Sequence, residues 1–388
     1  MTYKLCGDII PIDLDDYKLN SHVERETGEI LYWSDELAKK LGSSKCECRK
    51  SYESAKLLKD IIEEDTTIWL GIAGIGGAEG QGRSYAKLFE NGTFSVVCST
   101  GAQIYHDLHF AYNLPVMKID PNVSIEDDTQ LRDDNLVRIH DVVIKDQETL
   151  LRQDEIIGEF VIAYQNRLIE YNKQTGEHVG ISCLKFTRLL GEYVLETASS
   201  PELSFVAACA KYDVPLFWDS TTNHSIAMKL SELYLKKGID VRFNTHLDIA
   251  LSAALVHCEE ETGFFELGGG GPKNFIQQTS PTLSQMYGIE TAKGANAGIQ
   301  ITTAKEDDGG LSGCTFSEAI SWHKYIPGCK ILQIQGDYRR IAELTFHTVH
   351  KLCKPRKLKR LNLKLGQFFE KLLIDSKAIL NIKNLRSL

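Results

Sequence analysis

From residue 66 onward the chain alternates between short apolar runs and helix-spaced stretches, and few folds accept that alternation. The runs are Thr67–Ala73, Phe94–Ser99, Val214–Trp218, Phe264–Leu267, Ile299–Thr303 and Ile331–Gln335. Each reads as a strand buried on both faces, because its apolar residues are continuous rather than alternating with polar ones. Between them, Glu148–Asn172 reads as a long amphipathic helix, Pro201–Tyr212 as a small-residue helix and Leu247–His257 as an apolar one. Strands that alternate with helices predict an α/β fold, a doubly wound, mostly parallel and Rossmann-like sheet covered on both faces. Ligands in such folds sit at the carboxyl ends of the strands. The Gly-rich segments of this chain follow the predicted strands, where binding loops belong.

The text changes character at both ends. Residues 1–65 are polar and mixed, with one helical spacing at Ala55, Leu58, Ile61 and Ile62, and read as an N-terminal helical arm. Residues 66–350 form the body. Residues 351–388 carry eleven Lys or Arg against Glu370 and Asp375, a net of +9, which leaves −18 on the rest of a chain whose total is −9. Beyond Pro355, the positions Leu361, Leu363, Leu365, Phe368, Phe369, Leu372 and Leu373 give a basic amphipathic pattern. It suits a membrane-surface or nucleic-acid contact, or a helix docked on the body or on a partner subunit; the last is the reading adopted. The opposite charges of tail and body favour such docking. An acidic body also suits a cationic substrate.

No apolar run approaches 18 residues, so no membrane span is expected, and the first residues lack a signal-peptide layout, which points to the cytoplasm. Ten cysteines in so long a chain read as reduced thiols; Cys46 and Cys48 lack a second pair at zinc-ligand spacing. No nucleic-acid or membrane partner is expected.

The stretch Ser317–Lys324, S-E-A-I-S-W-H-K, places an acid (Glu318), an indole (Trp322) and an amine (Lys324) just behind the loop Asp308–Gly313. A lysine becomes a nucleophile when its ammonium is desolvated, and an apolar wall such as Trp322 would help. Glu318 and Trp322, four apart, would share a helix face. An exposed lysine beside a core tryptophan is the plain alternative. Residues Gly71–Gly82 hold six glycines after a strand and could bring backbone N–H groups to a pyrophosphate; Glu79 stands where a dinucleotide fingerprint has its third glycine. His106, Asp107 and His109, or His347 and His350, lack further ligands at metal spacing, so no metal is expected.

At these residues the chain resembles deoxyhypusine synthase, whose active-site pattern is E-A-(V/I)-S-W-G-K. Leu267–Phe275, L-G-G-G-G-P-K-N-F, resembles the family's G-G-G-x-x-K segment. Ser99-Thr100-Gly101-Ala102, with Tyr105–His109, resembles the S-T-G-A form of the bacterial deoxyhypusine synthase-like subgroup, and Asp337 falls where the family has a cofactor-site aspartate. The resemblance spans roughly residues 66–350. It implies NAD as cofactor, with Ser99, Thr100, Gly101, Ala102, His106, Thr303, Ala304, Asp308, Gly309 and Asp337 near it. It implies a lysine imine on Lys324, with Glu318 and Trp322 shaping the amine site and Gly270, Lys273 and Asn274 binding substrate. It further implies aminobutyl transfer from spermidine, a homotetramer with active sites at subunit interfaces, and an acceptor that is a protein lysine or, as in homospermidine synthases, putrescine.

The chain departs from the eukaryotic pattern at Leu311, Asn223 and Met228, where those enzymes carry acids, at Asn274, where they carry histidine, and at His323, where glycine is usual. These departures leave open a non-catalytic, NAD-binding paralogue. Leu311 and Asn274 match the bacterial-type patterns.

Overall fold

The computed structural model describes residues 5–9, 11, 22–23, 30–31, 49–120, 124–171, 175–289 and 294–378. Cys46 and Cys48 and most of the expected N-terminal arm lie outside them. The main strands are β1 (Leu5–Asp8), β2 (Thr67–Ile72), β3 (Val96–Ser99), β4 (Val116–Ile119), β5 (Leu136–Ile139), β6 (Val142–Lys145), β7 (Leu216–Trp218), β8 (Thr262–Leu267), β9 (Ala295–Thr302) and β10 (Tyr325–Gln335). The main helices are α1 (Arg49–Glu63), α2 (Gly82–Glu90), α3 (Gly101–Ala111), α4 (Ile125–Asp133), α5 (Arg152–Ala163), α6 (Cys183–Thr197), α7 (Phe205–Lys211), α8 (Ser225–Lys237), α9 (Thr245–Cys258), α10 (Gly270–Gln277), α11 (Phe316–Ser321), α12 (Tyr338–Leu352) and α13 (Leu361–Asp375).

Six strands form one parallel sheet in the order β7-β3-β2-β8-β9-β10. Relabelled by their sequence within the sheet, that order is 3-2-1-4-5-6, the doubly wound arrangement. Each of the six apolar runs supplies one of these strands. The winding reverses between β2 and β8, where Leu267 pairs with Ile72. Both strands end there in Gly-rich loops. Trp69 and Phe217 stack at 6.3 Å, and Phe264 meets Trp69 edge-on, so aromatic residues tie the centre of the sheet to its β7 side.

Helix α1 buries Ala55, Leu58, Ile61 and Ile62, the four residues its spacing singled out, and the Ser54 hydroxyl meets that of Thr345 on α12 at 2.7 Å. It is thus packed into the main core. A second, antiparallel sheet of order β1-β4-β6-β5 flanks the body. Its strands carry mixed polar and apolar residues and gave no clear signal in sequence. Glu148–Asn172 is not one helix. A π turn at Asp146–Leu151 precedes α5, which ends at Tyr164, and the chain then enters a short strand at Glu170–Tyr171. The Tyr105 hydroxyl donates to the Leu150 carbonyl at 3.2 Å, which supports the widened turn.

The tail docks on its own body. Leu361, Leu365, Phe369 and Leu372 of α13 are buried against α9, while Leu363 faces solvent. The seven cysteines whose side chains are described are free thiols, three buried and four half-buried. No helix among the described residues is long and apolar enough to cross a membrane.

Candidate active site

Lys324 is aimed by the end of α11. The Thr315 hydroxyl caps the start of that helix by accepting from Glu318 N at 3.1 Å. At its far end His323 N donates to Ile320 O at 3.0 Å and Lys324 N to Ala319 O at 3.1 Å, with His323 at φ +59°. This paired closure needs a left-handed residue, which is why glycine suits position 323. The Lys324 carbonyl then accepts from Ala295 N at 2.9 Å, so its backbone is fixed on both sides.

The side chain of Lys324 is 9% exposed, and its Nζ donates to Asn274 Oδ1 at 3.2 Å. Burial pushes its pKa down, Lys273 adds to that, and Cys314, Glu266 and Glu318 oppose it. Trp322 caps α11 just beyond its last turn and is 56% exposed. It lines the cleft but is not the buried wall that sequence suggested; the desolvation comes from the depth of Lys324 itself.

A cleft of about 570 Å³ brings together Lys273, Asn274, Asp308, Gly309, Glu318, Trp322 and Lys324. Its mouth is apolar at Met286, Leu311 and Trp322, and Glu306 and Asp307 add two carboxylates to Asp308 and Glu318. Four acids around a buried lysine suit a ligand with several ammonium groups. Asn223 and Met228, where acids are missing, do not line this cleft; Met228 is 70% exposed on α8.

The four glycines that lead into and open α10 are accounted for by geometry. Gly268 and Gly270 have φ of +79° and +61°. A Cβ on Gly269 would lie 2.3 Å from Ser312 Oγ, and one on Gly271 would lie 1.7 Å from Asp219 Oδ2. Ser312 Oγ accepts from Gly270 N at 3.0 Å and so closes the start of α10 from across the chain. Lys273, 3% exposed, donates to Gln300 Oε1 at 3.0 Å and to the Cys314 carbonyl at 2.8 Å.

The expected cofactor residues cluster at three strand ends along the carboxyl edge of the sheet, some in the loops and some in the helix that follows. Ser99–Ala102 and His106 follow β3, Thr303, Ala304, Asp308 and Gly309 follow β9, and Asp337 follows β10. Of these only Asp308 and Gly309 line the cleft. Ser99 Oγ, fully buried, has no protein partner, nor does Asp219 Oδ1 at the end of β7; both fit a polar ligand laid across this edge. Asp337 caps α12 and is bound by Arg339, whose guanidinium holds its carboxyl below the usual range. His106 Nδ1 lies 2.9 Å from His109 Nε2, and burial lowers its pKa to about 4.

The Gly71–Gly82 loop is not the pyrophosphate cradle its glycines suggested. Gly76 N donates to the Tyr338 hydroxyl at 2.9 Å and Gly77 N to Gln103 Oε1, so those amides are spent within the protein. Glu79 is paired with Arg339 at 2.5 Å. Asp107, between the two histidines, accepts from Ser204 Oγ, Phe205 N and Val206 N and so caps α7.

Sequence reading missed Gln277, which is buried in the cleft lining, and Glu266 and Gln300, which are buried behind it. The available signal was a carboxylate in T-G-F-F-E-L and an amide in A-G-I-Q-I-T, long polar side chains inside buried, mainly apolar strands.

Comparison with known proteins agrees with this geometry. The deoxyhypusine synthase family model matches residues 36–344. A deoxyhypusine synthase-like protein of Nostoc punctiforme is 31% identical over 343 residues, 84% of this chain and 83% of that protein. One from Cyanothece is 32% identical over 338 residues, 80% of this chain and 79% of that protein. The crystal structure of a "putative deoxyhypusine synthase" from Entamoeba histolytica shares the fold, with a TM-score of 0.54 and 12% identity over 90% of this chain and 100% of that one. With the matched segment enclosing the sheet, α10 and the lysine cleft, the chain belongs to the deoxyhypusine synthase family, a family of aminobutyl-group transferases.

Proposed function

We propose that the chain is an NAD-dependent transferase that moves the aminobutyl group of spermidine through an imine on Lys324. The observation that carries this reading is Lys324 itself, 9% exposed, held by a neutral amide and placed in a cleft with four carboxylates. Bound NAD would supply a hydride acceptor for the carbon beside the secondary amine of spermidine, and would store that hydride for return to the product. Ser99–Ala102, His106, Thr303, Ala304, Asp308, Gly309 and Asp337 would hold it along the carboxyl edge of the sheet.

Within the cleft, Glu306, Asp307 and Glu318 hold the ammonium groups of the amine, and Trp322, Leu311 and Met286 cover its methylenes. The free amine of Lys324 adds to the oxidised carbon and expels the aminopropyl amine, forming the lysine imine. An acceptor amine then displaces Lys324. The acid missing at Leu311, which lines the cleft, favours a small free acceptor such as putrescine over a protein lysine. The enzyme works as a cytoplasmic homotetramer in this reading.

Incubation with NAD and labelled spermidine, with and without putrescine, tests it by mass spectrometry. Borohydride should trap label on Lys324, and homospermidine should form when putrescine is present. Lys324→Arg should abolish both, because a guanidinium stays protonated. Label on no lysine, with NAD still bound, would favour a non-catalytic paralogue.

A further inference from the structure

A buried carboxylate lies beneath the cleft, and the reaction outlined above makes no use of it. Glu266 stands in β8 at 1% exposure. Its Oε1 accepts from Gln277 Nε2 at 2.6 Å and from the Tyr325 hydroxyl at 3.2 Å, and its Oε2 is buried without a partner. Two buried amines act on it electrostatically, Lys273 from α10 and Lys324 at the head of β10. The acceptors that hold them are neutral: Gln300 and the Cys314 carbonyl for Lys273, and Asn274 for Lys324. Two amines therefore share one internal carboxylate.

A buried charge without a counter-charge is costly, and a carboxylate can offset only one ammonium. We infer that Glu266 is a positioning residue that fixes the charge of the cleft floor, and with it the pH at which Lys324 becomes a free amine. This rests on Lys324 being the nucleophile. The groups that face Lys324 are Lys273 and Asn274 from α10, Glu266 from β8, Cys314 from the preceding loop and Glu318 from α11. Of the charged ones, Lys273 disfavours its ammonium, while Glu266 and Glu318 favour it. Deleting the charge of Glu266 therefore makes Lys324 lose its proton at lower pH, and deleting that of Lys273 has the opposite sign. Burial also pushes Glu266 itself up to about 7, which places its own charge change within the working range.

The test is reductive methylation of the full chain with formaldehyde and cyanoborohydride across a pH series, with modification at Lys324 read by mass spectrometry. Glu266→Gln should move the Lys324 midpoint down by about one pH unit, a tenfold change in proton affinity. Lys273→Met should move it up, and Glu266→Asp should keep it near the wild type. An unmoved or upward midpoint in a folded Glu266→Gln protein overturns the inference. Should that variant not fold, Glu266→Gln/Lys273→Met removes both charges together. It should then fold with a midpoint below that of Lys273→Met alone, and equal midpoints in those two variants overturn the inference. The readout needs neither cofactor nor turnover, so failure of aminobutyl transfer would leave this result standing, and the reverse holds as well.

Discussion

Lys324 Nζ lies 3.2 Å from Asn274 Oδ1, and each residue is placed by a helix terminus. Asn274 rides on the first turns of α10, whose start is closed by Ser312, and Lys324 follows the left-handed closure of α11. A neutral amide can accept from the lysine in either protonation state. It orients the amine without holding its proton, which a nucleophile requires.

Asn274→Asp should reverse that balance. A carboxylate at this distance favours the ammonium, so the Lys324 pKa should rise by about 1–3 units. The acid limb of the pH–rate profile should shift upward accordingly, with activity near neutral pH down about tenfold or more and recovering at high pH. A profile that falls uniformly without shifting would show that the amide acts only through packing.

His323→Gly should stabilise the protein. His323 holds φ +59°, a region that costs a residue with a Cβ about 1 kcal/mol. Part of that gain is lost to the freedom of glycine in the unfolded chain, leaving about 0.5 kcal/mol. His323→Val should lose at least as much, because a β-branched residue fits this region poorly. Thermal unfolding of the three proteins checks the order. Aminobutyl transfer should survive in the glycine variant.

Much of the architecture was legible in the sequence because buried parallel strands leave continuous apolar runs. All six runs became strands of one sheet, and α1 and α13 bury residues that their spacing picked out. The cleft was legible at Lys324, Glu318, Lys273 and Asn274 because two short motifs, Leu267–Phe275 and Ser317–Lys324, each hold one pair locally. What stayed hidden depends on distant pairing. The Gly71–Gly82 loop looked like a phosphate cradle until Tyr338 and Gln103, remote in sequence, took its amides. The flanking antiparallel sheet joins Leu5–Asp8 to strands more than a hundred residues away, and no local pattern announces such a pairing. Glu148–Asn172 has helical spacing throughout, but its π turn is supported by Tyr105 from another helix.

Glu343→Gln should stabilise the protein at alkaline pH alone. Burial pushes the Glu343 carboxyl up from 4.5 to about 7, with Ser84 Oγ donating to it at 2.8 Å. Between those two pH values the folded chain keeps a proton that the unfolded chain has released. Stability therefore falls as pH rises through this window and stays lower above it. Glutamine carries no such charge. The variant should match the wild type near pH 5 and exceed it near pH 8.5 by on the order of 1–3 kcal/mol. An equal difference at both pH values would exclude titration as the cause.

The tail should prove to be part of the fold, held more by apolar and backbone contacts than by its net charge. Arg356 donates to the carbonyls of Gly92 at 2.5 Å, Thr66 at 2.9 Å and Thr93 at 3.1 Å, all beside the amino ends of β2 and β3. Arg356→Ala strands those carbonyls and should cost about 2–4 kcal/mol. Arg356→Lys should fall between, since one ammonium on a flexible stem cannot reproduce the planar fork. Removing residues 351–388 also uncovers α9, where Leu361, Leu365, Phe369 and Leu372 are buried. At about 1.5–3 kcal/mol per buried apolar side chain, as an upper bound, that loss rivals the whole stability of a typical domain. The chain ending at His350 should therefore be insoluble or melt far lower. The ion pair Arg360–Asp213 is exposed on its arginine side and contributes less, whereas Lys359–Glu259 is mostly buried. Raising salt to about 0.5 M screens exposed charges but leaves buried contacts largely intact, so it should change the gap between wild type and Arg356→Ala only slightly. A gap that closes in salt would assign the docking to long-range charge, and a truncated chain as stable as the full one would remove the tail from the fold.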